Sequence, residues 1–377
     1  MSIRCSNPFR IGPLLAAAFL CNLVAIFVAP CAEAQTPPAW RPLVDRLVLE
    51  GFDRAAMDSL FARARLAYDP EPMVDKMEAL YATKYGIRLV RAVQTELVRL
   101  SYLDDDVDGK VGPNTRNAVR LFEQAHGMAV TGVADEEILA LAKRETQPKP
   151  ADLSLPEEKA LVYSSVLTPE RLAEASAFYK AHRKALQKMR ASYGVPEEIA
   201  VGIVTVETRC GLYLGEENAF ATLASMAASR NPTILDSLVA REKPTPPQRS
   251  WLYNRMNEKA DWAQNELVAM LQYAALNGLD PLRMPGSVYG AIGICQFMPT
   301  NAVKFGVDGD ADGAVNLYTA DDALMSLGNF LNEHGWKAGA KNRRAQRKAL
   351  YRYNHSIIYV NTVLAVADHI RRGAPSQ

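Results

Sequence analysis

Glu207 stands at the end of an apolar stretch, with Ile203 and Val204 a helical turn behind it. On a helix, that spacing places hydrocarbon beside the carboxyl group. Burial disfavours the ionised form, so such a Glu holds its proton near neutral pH and can give it to a leaving oxygen, as glycosidic cleavage requires. A helix-end Glu open to water fits the same residues, and position alone does not separate the two readings. Asp308, Asp310 and Asp312, followed by Gly313, occupy the first positions of an EF-hand-like loop, whose hard oxygens suit Ca²⁺. Thr319 stands where the bidentate Glu of that loop belongs. Asp104, Asp106, Asp108 and Gly109 repeat the spacing, so a metal loop and an empty acidic turn both stay open.

His126, His182, His334, His355 and His369 show no H-E-x-x-H spacing, which argues against a zinc peptidase or amidase. A Cys-His endopeptidase using Cys210 or Cys295 lacks a supporting His motif.

The elements that must position these residues read as mainly α. Pro196 opens the Glu207 helix, apolar through Ile199, Ile203, Val204 and Val206. Thr168-Pro169 opens a long helix before it as N-cap and first-turn proline, and Gly194 closes that helix. Nearer the start, Leu43 and Leu47 share a helix face, as do Met57, Leu60, Phe61 and Ala64. A compact unit follows, with helices marked by Val90, Val93, Leu97 and Leu100, by Val119 and Phe122, and by Ile138 and Leu141. No alternating run is long enough for a large sheet.

Lys and Arg number 43 against 42 Asp and Glu, so the chain lacks the basic surplus that nucleic acid as partner would demand. Hydrophobic residues make up 49% of the 377, enough for a sizeable core. Residues 1–34 read as an export signal: Arg4 and Arg10, an apolar run from Leu14 to Val28, then Ala32-Glu33-Ala34. That run is shorter than the roughly 20 residues of a spanning helix, so no stable membrane span is expected. Cys31 raises lipoprotein anchoring, but Pro30 before it and Val28 fit a lipid-attachment box poorly. The mature chain is expected to be exported and periplasmic, with only Cys210 and Cys295 left. Two thiols in an oxidising compartment often pair, and two separate buried thiols are the alternative.

The run VQTELVRLSYL at 93–103, continued by DGKVGPNTRNAVRLFEQAHGMAVTGVAD at 108–135, resembles the peptidoglycan-binding domain of bacterial wall hydrolases. Glu123 departs from that family's usual Gln. A second set of motifs is similar to the lytic murein transglycosylase B family: YDPEPMVDKMEALY at 68–81, GIVTVETRCGLYLG at 202–215, GSVYGAIGICQFMPT at 286–300, VDGDADGAVNLYTADDA at 307–323, HGW at 334–336 and YRYNHSIIYV at 351–360.

The resemblance implies a lysozyme-like catalytic domain plus a small three-helix peptidoglycan-binding domain. The boundaries would be a signal at 1–34, a helical segment at 35–85, the binding domain at 86–146, a linker at 147–156 and the catalytic domain at 157–373. The implied reaction cleaves the β-1,4 bond between N-acetylmuramic acid and N-acetylglucosamine in peptidoglycan, leaving 1,6-anhydro ends, with Glu207 as single acid/base. A hydrolytic muramidase and a catalytically inactive wall-binding scaffold are the alternatives. Ser287, Gln296, Tyr353 and Asn354 match groove positions, and Tyr289 and Phe297 would add flat apolar surface there, with core packing as the alternative for both. The family's longer metal loop places a carboxylate where Asp322 stands, implying a structural Ca²⁺ on Asp308, Asp310, Asp312 and Asp322. No organic cofactor is implied. Because Cys210 and Cys295 flank the two central motifs, a bond between them is expected to staple the Glu207 segment to the Gln296 loop.

Overall fold

The computed structural model describes residues 36–64, 67–154, 162–336 and 342–373. The expected export signal, with Cys5, Cys21 and Cys31, lies outside them, as do the last two residues of the expected linker. Helices follow one another as α1 Arg41–Leu49, α2 Arg54–Ala64, α3 Glu71–Tyr85, α4 Arg88–Arg99, α5 Pro113–Ala125, α6 Glu136–Arg144, α7 Pro169–Ala181 and α8 Arg183–Tyr193. Next come α9 Glu197–Thr208, α10 Ala219–Ala228, α11 Asp236–Glu242, α12 Pro246–Leu276, α13 Pro299–Phe305, α14 Ala320–Glu333, α15 Arg343–Tyr353 and α16 Ile357–Gly373. The strands β1 Glu217–Asn218 and β2 Pro285–Gly286 form one antiparallel ribbon, pairing Glu217 with Gly286 and Asn218 with Pro285. The class is mainly α, as expected.

The chain divides into two compact units. One holds the residues up to Asp69, Val162–Ala228 and everything from Ala260 on; the other holds Pro70–Leu161 and Ser229–Lys259. In the second unit, α4, α5 and α6 close around Val93, Leu97, Leu100, Val119, Phe122, Ile138 and Ala142, all fully buried. Gln94, buried on α4, ties the turn before α5: its amide donates to Asp108 Oδ1, the Lys110 carbonyl and Thr115 Oγ1, and its oxygen accepts from Gly109 N–H. Glu123 also turns inward. Its carboxylate accepts the N–H groups of Thr131 and Gly132 and the Thr131 hydroxyl, so this acid organises the turn after α5.

In the first unit, α9 is buried nearly all round, from Ile199 to Thr205, as befits a core helix. It packs on α16, α7 and α8. Contact with α16 is close because position 202 is glycine: a Cβ there would lie 2.6 Å from the Val363 carbonyl oxygen, inside van der Waals distance. That approach sets the end of α9 against the start of α16. The single long helix expected from Thr168 to Gly194 is two helices. Thr168 caps the first and Gly194, left-handed at φ 69°, ends the second, but His182 at φ −106°, ψ 24° breaks the run between them.

Candidate active site

Glu207 occupies the last turn of α9. Its Oε1 accepts a 2.7 Å hydrogen bond from the hydroxyl of Tyr359, a buried residue in the first turn of α16. Glu207 keeps part of its surface open while dense protein surrounds its carboxyl group, which is the situation of a group at the bottom of a recess. Burial pushes the carboxyl up to about 7, against the Tyr359 hydroxyl, which favours the charged form. Tyr353, the last residue of α15, stacks nearly parallel on Tyr359, with ring centroids 6.2 Å apart. Its hydroxyl donates to the Cys295 carbonyl. Burial, and next the charge of Glu207, raise both phenols well above the ordinary tyrosine range, so both stay protonated as donors.

The chain reverses directly after Glu207. Arg209, Cys210 and Gly211 take left-handed φ values of 52°, 59° and 83°. Thr208, buried, donates from Oγ1 to the Ile294 carbonyl at 2.7 Å and accepts from Gly211 N–H at 3.1 Å. This hydroxyl is one link between the Glu207 segment and the Gln296 loop. The expected disulfide is not formed: Cys210 and Cys295 are both free. Cys210 Sγ lies 3.3 Å from Thr205 Oγ1 on the preceding helix α9, whereas Cys295 is buried on the facing loop. Burial raises both thiols, Cys210 to about 11, so neither is a ready nucleophile.

The facing loop extends β2. Ile292 and Phe297 exchange backbone hydrogen bonds at 2.8 and 3.0 Å around a tight turn in which Gln296 takes φ 47°. Gln296, half-buried, donates from Nε2 to the Gly293 and Leu214 carbonyls. Gly215, at φ 102°, lets the Leu214 segment meet this loop, since a Cβ there would fall 1.9 Å from the Gly286 carbonyl oxygen. Glu207 therefore has Tyr359, Tyr353 and Cys295, the residue before Gln296, as near neighbours, its charge raising all three. Ser287 Oγ accepts from the N–H groups of Tyr289 and Ala291, shaping the loop, and Tyr289 is half-buried. Asn354 is exposed at the C-terminal end of α15. Phe297 corrects the expectation of a groove surface: it is 2% exposed and packs on Phe330 and Tyr353, because the turn that holds Gln296 outward sends the next side chain into the core.

Tyr359 was not among the expected site residues, although it lies within the YRYNHSIIYV motif. No local spacing pairs it with Glu207, 152 positions away.

In the acidic loop, Asp308, Asp310 and Asp322 bring one oxygen each within 4.8 Å of one another. Asp312 does not join them; its carboxylate accepts from Ala314 N–H at 2.9 Å and closes the local turn. Asp322 is buried and gathers the loop, accepting from the Gly309 and Asn316 N–H groups at 2.6 Å each. Asp310 is held above the usual carboxylate range by burial and then by the charges of Asp322, Asp312 and Asp308. Three hard oxygen donors whose mutual repulsion a cation would relieve fit Ca²⁺. At Asp104, Asp106 and Asp108 the described residues show no such convergence.

Residues 123–348 match the family described as Transglycosylase SLT domain, and residues 88–141 match the family described as Putative peptidoglycan binding domain. Membrane-bound lytic murein transglycosylase B of Escherichia coli (strain K12) is 32% identical over 173 residues, which are 46% of this chain and 41% of that protein. The match thus spans less than half of the relative's length. Among solved structures, the Escherichia coli lytic transglycosylase Slt35 in complex with bulgecin A aligns at TM-score 0.52 and 19% identity, covering 89% of this chain and 93% of that one. Its complex with calcium aligns with the same figures. At this identity the likeness is one of fold, and it agrees with the mainly α class expected.

Proposed function

Because the chain belongs to the transglycosylase SLT domain family, we propose that it is a lytic murein transglycosylase acting on the glycan strands of peptidoglycan. The observation that carries the reading is the Glu207 carboxyl, pushed up to about 7 by burial and bonded at Oε1 by Tyr359. Near neutral pH such a group exists in both forms, as one residue serving first as acid and then as base requires.

In the first step Glu207 gives its proton to the bridging oxygen between N-acetylmuramic acid and N-acetylglucosamine, and the bond from muramic acid C1 to that oxygen breaks. In the second, the Glu207 carboxylate takes the proton from the muramic acid C6 hydroxyl while O6 bonds to C1, leaving a 1,6-anhydro end. No water is consumed, and Glu207 ends as it began. The internal hydroxyl replaces the second carboxylate that would otherwise hold water or attack. In support, the only side-chain hydrogen bond to Glu207 among the described residues comes from Tyr359. That bond steadies the carboxylate between the two steps and leaves Oε2 for the proton transfers. Gln296 and Tyr353 would border the same groove, where amide and hydroxyl groups suit acetamido and hydroxyl groups of sugars.

Asp308, Asp310 and Asp322 would hold a Ca²⁺ whose contribution is structural, ordering the loop ahead of α14. The unit around α4–α6 would hold the enzyme on the wall, and the chain would be exported by the segment at 1–34.

The test is mass spectrometry of products from purified sacculi, with the wild type beside Glu207→Gln. Anhydro ends from the wild type and none from the variant are expected. Reducing ends would make the protein a hydrolytic muramidase, and equal products from both proteins would remove Glu207 from the chemistry.

A further inference from the structure

In the unit that does not hold Glu207, a cleft of about 440 Å³ is lined by Tyr81, Tyr85, Arg88, Arg91, Lys243 and Gln248, together with the buried Glu242. The end of α3, the start of α4 and the stretch from α11 into α12 form it. Of these only α4 falls within residues 88–141, so the cleft is not made by the peptidoglycan-binding match alone.

Cations outnumber anions here, and no carboxylate answers them. Both nearby acids pair with Arg241, Glu78 at 2.7 Å and Glu242 at 3.1 Å. Glu242 Oε2 also accepts the Arg88 backbone N–H at 3.0 Å. Arg88, Arg91 and Lys243 are exposed and form no ion pair among the described residues. Arg91 is held in place by neutral groups. One terminal nitrogen of its guanidinium donates to the Tyr85 carbonyl at 3.0 Å and the Asp108 carbonyl at 2.8 Å, which fixes the side chain, keeps its charge and leaves its other nitrogens for a ligand. Lys243 ends α11 in the left-handed region, at φ 47° and ψ 55°, where glycine is the unstrained choice. Gln248 Oε1 accepts from Thr245 N–H at 2.8 Å, and its NH2 group has no described acceptor. Tyr85, half-buried, adds a flat ring steadied edge-on by Trp251, with centroids 5.1 Å apart.

We propose that this cleft binds a phosphorylated saccharide, with Arg88, Arg91 and Lys243 on the phosphate and Tyr85 and Gln248 on the sugar. A phosphate monoester carries about −1.5 to −2 charges at neutral pH and three strong acceptor oxygens, which matches three separate cations. A lone carboxylate, with one charge and two oxygens, would leave at least one of them unanswered. Arginine meets phosphate through its planar fork and lysine meets it as a point charge. A flat ring and one well-placed amide donor are what a sugar needs beside them. The site stands apart from the chemistry at Glu207, so its test requires no cleavage.

The protein is titrated calorimetrically with N-acetylglucosamine 1-phosphate, with inorganic phosphate and with N-acetylglucosamine. The sugar phosphate is expected to bind about tenfold more tightly than either part, and Arg88→Gln and Lys243→Gly should each weaken it by about tenfold, as loss of one charge-assisted contact allows. Lys243→Gly also relieves the left-handed strain, so its melting temperature should hold or rise, which separates lost binding from lost fold. A phosphorylated sugar arrives either on a soluble polymer or as a glycolipid headgroup. Phosphatidylcholine vesicles with and without a phosphorylated glucosamine lipid separate the two. Co-sedimentation with the first alone assigns the lipid, and none, with soluble binding intact, assigns the polymer. Affinity for inorganic phosphate or for the unphosphorylated sugar equal to that for the sugar phosphate overturns the proposal, as does binding that survives both substitutions.

Discussion

Replacing Tyr359 with Phe removes one oxygen and leaves the buried ring in place. The lost atom is the donor of the 2.7 Å bond to Glu207 Oε1, which favours the carboxylate. Burial, which favours the acid, is unchanged. A hydrogen bond to a charged group is worth about 1.5–3 kcal/mol, which corresponds to roughly one to two pH units. Glu207, now at about 7, is therefore expected to titrate one to two units higher in the variant. The first step needs the protonated form, so kcat/KM falls as pH rises through this value, and the substitution should move that alkaline limb upward. Rates on the plateau below it should drop by up to about tenfold, because the carboxylate formed after proton donation loses its partner. The assay is release of anhydro-ended fragments from a soluble glycan across pH, backed by carbon NMR titration of labelled Glu. Tyr353→Phe is the control, since the Tyr353 hydroxyl bonds the Cys295 carbonyl and not Glu207. An alkaline limb that stays in place or moves downward in Tyr359→Phe refutes the account of how this acid is tuned.

Glu207→Gln should unfold less readily than the wild type at alkaline pH. The carboxyl rises from 4.5 to about 7 on folding, a penalty of up to roughly 3 kcal/mol that is complete above the folded value and absent below the unfolded one. Urea melts at pH 8 and pH 4 should show that gain at the first pH only, and equal gains at both would contradict it. Thr208→Val strips the bonds to the Ile294 carbonyl and Gly211 N–H, so a loss of about 1–3 kcal/mol is expected, together with a fall in kcat; a stable variant with full activity would show the link to be dispensable. Ca²⁺ at millimolar level should raise the melting temperature by a few degrees, and Asp310→Asn should diminish the shift; no response up to about 10 mM would leave the acidic loop a turn without a metal.

Much of the fold could be read from the residues in order. Apolar spacing marks the helices, and in α4, α5 and α6 the same residues that set the spacing fill the core. Ile203 and Val204 put hydrocarbon on the helix of Glu207, but that local pattern fitted a water-exposed acid equally well, and it was the resemblance of the surrounding motifs that singled Glu207 out. Asp322 was recognised only by resemblance, and its work, binding two backbone N–H groups that lead into α14, depends on a loop closure no periodicity describes. The break at His182 also escaped the pattern, since the apolar residues on either side continue it.

What the order of residues determined alone is the local chemistry: an acid at the end of a greasy helix, glycines at close approaches, aspartates in a tight loop. Only the packed chain decided which distant groups meet that acid. Tyr359 reaches Glu207 because Gly202 lets α9 lie directly against α16, and Thr208 rather than a disulfide joins the two segments because the Cys210 and Cys295 side chains find separate places. Phe297 falls into the core and Gln296 stays outside through a single left-handed residue. Such choices are made by contacts between segments far apart in the chain, and spacing along the sequence carries no record of them.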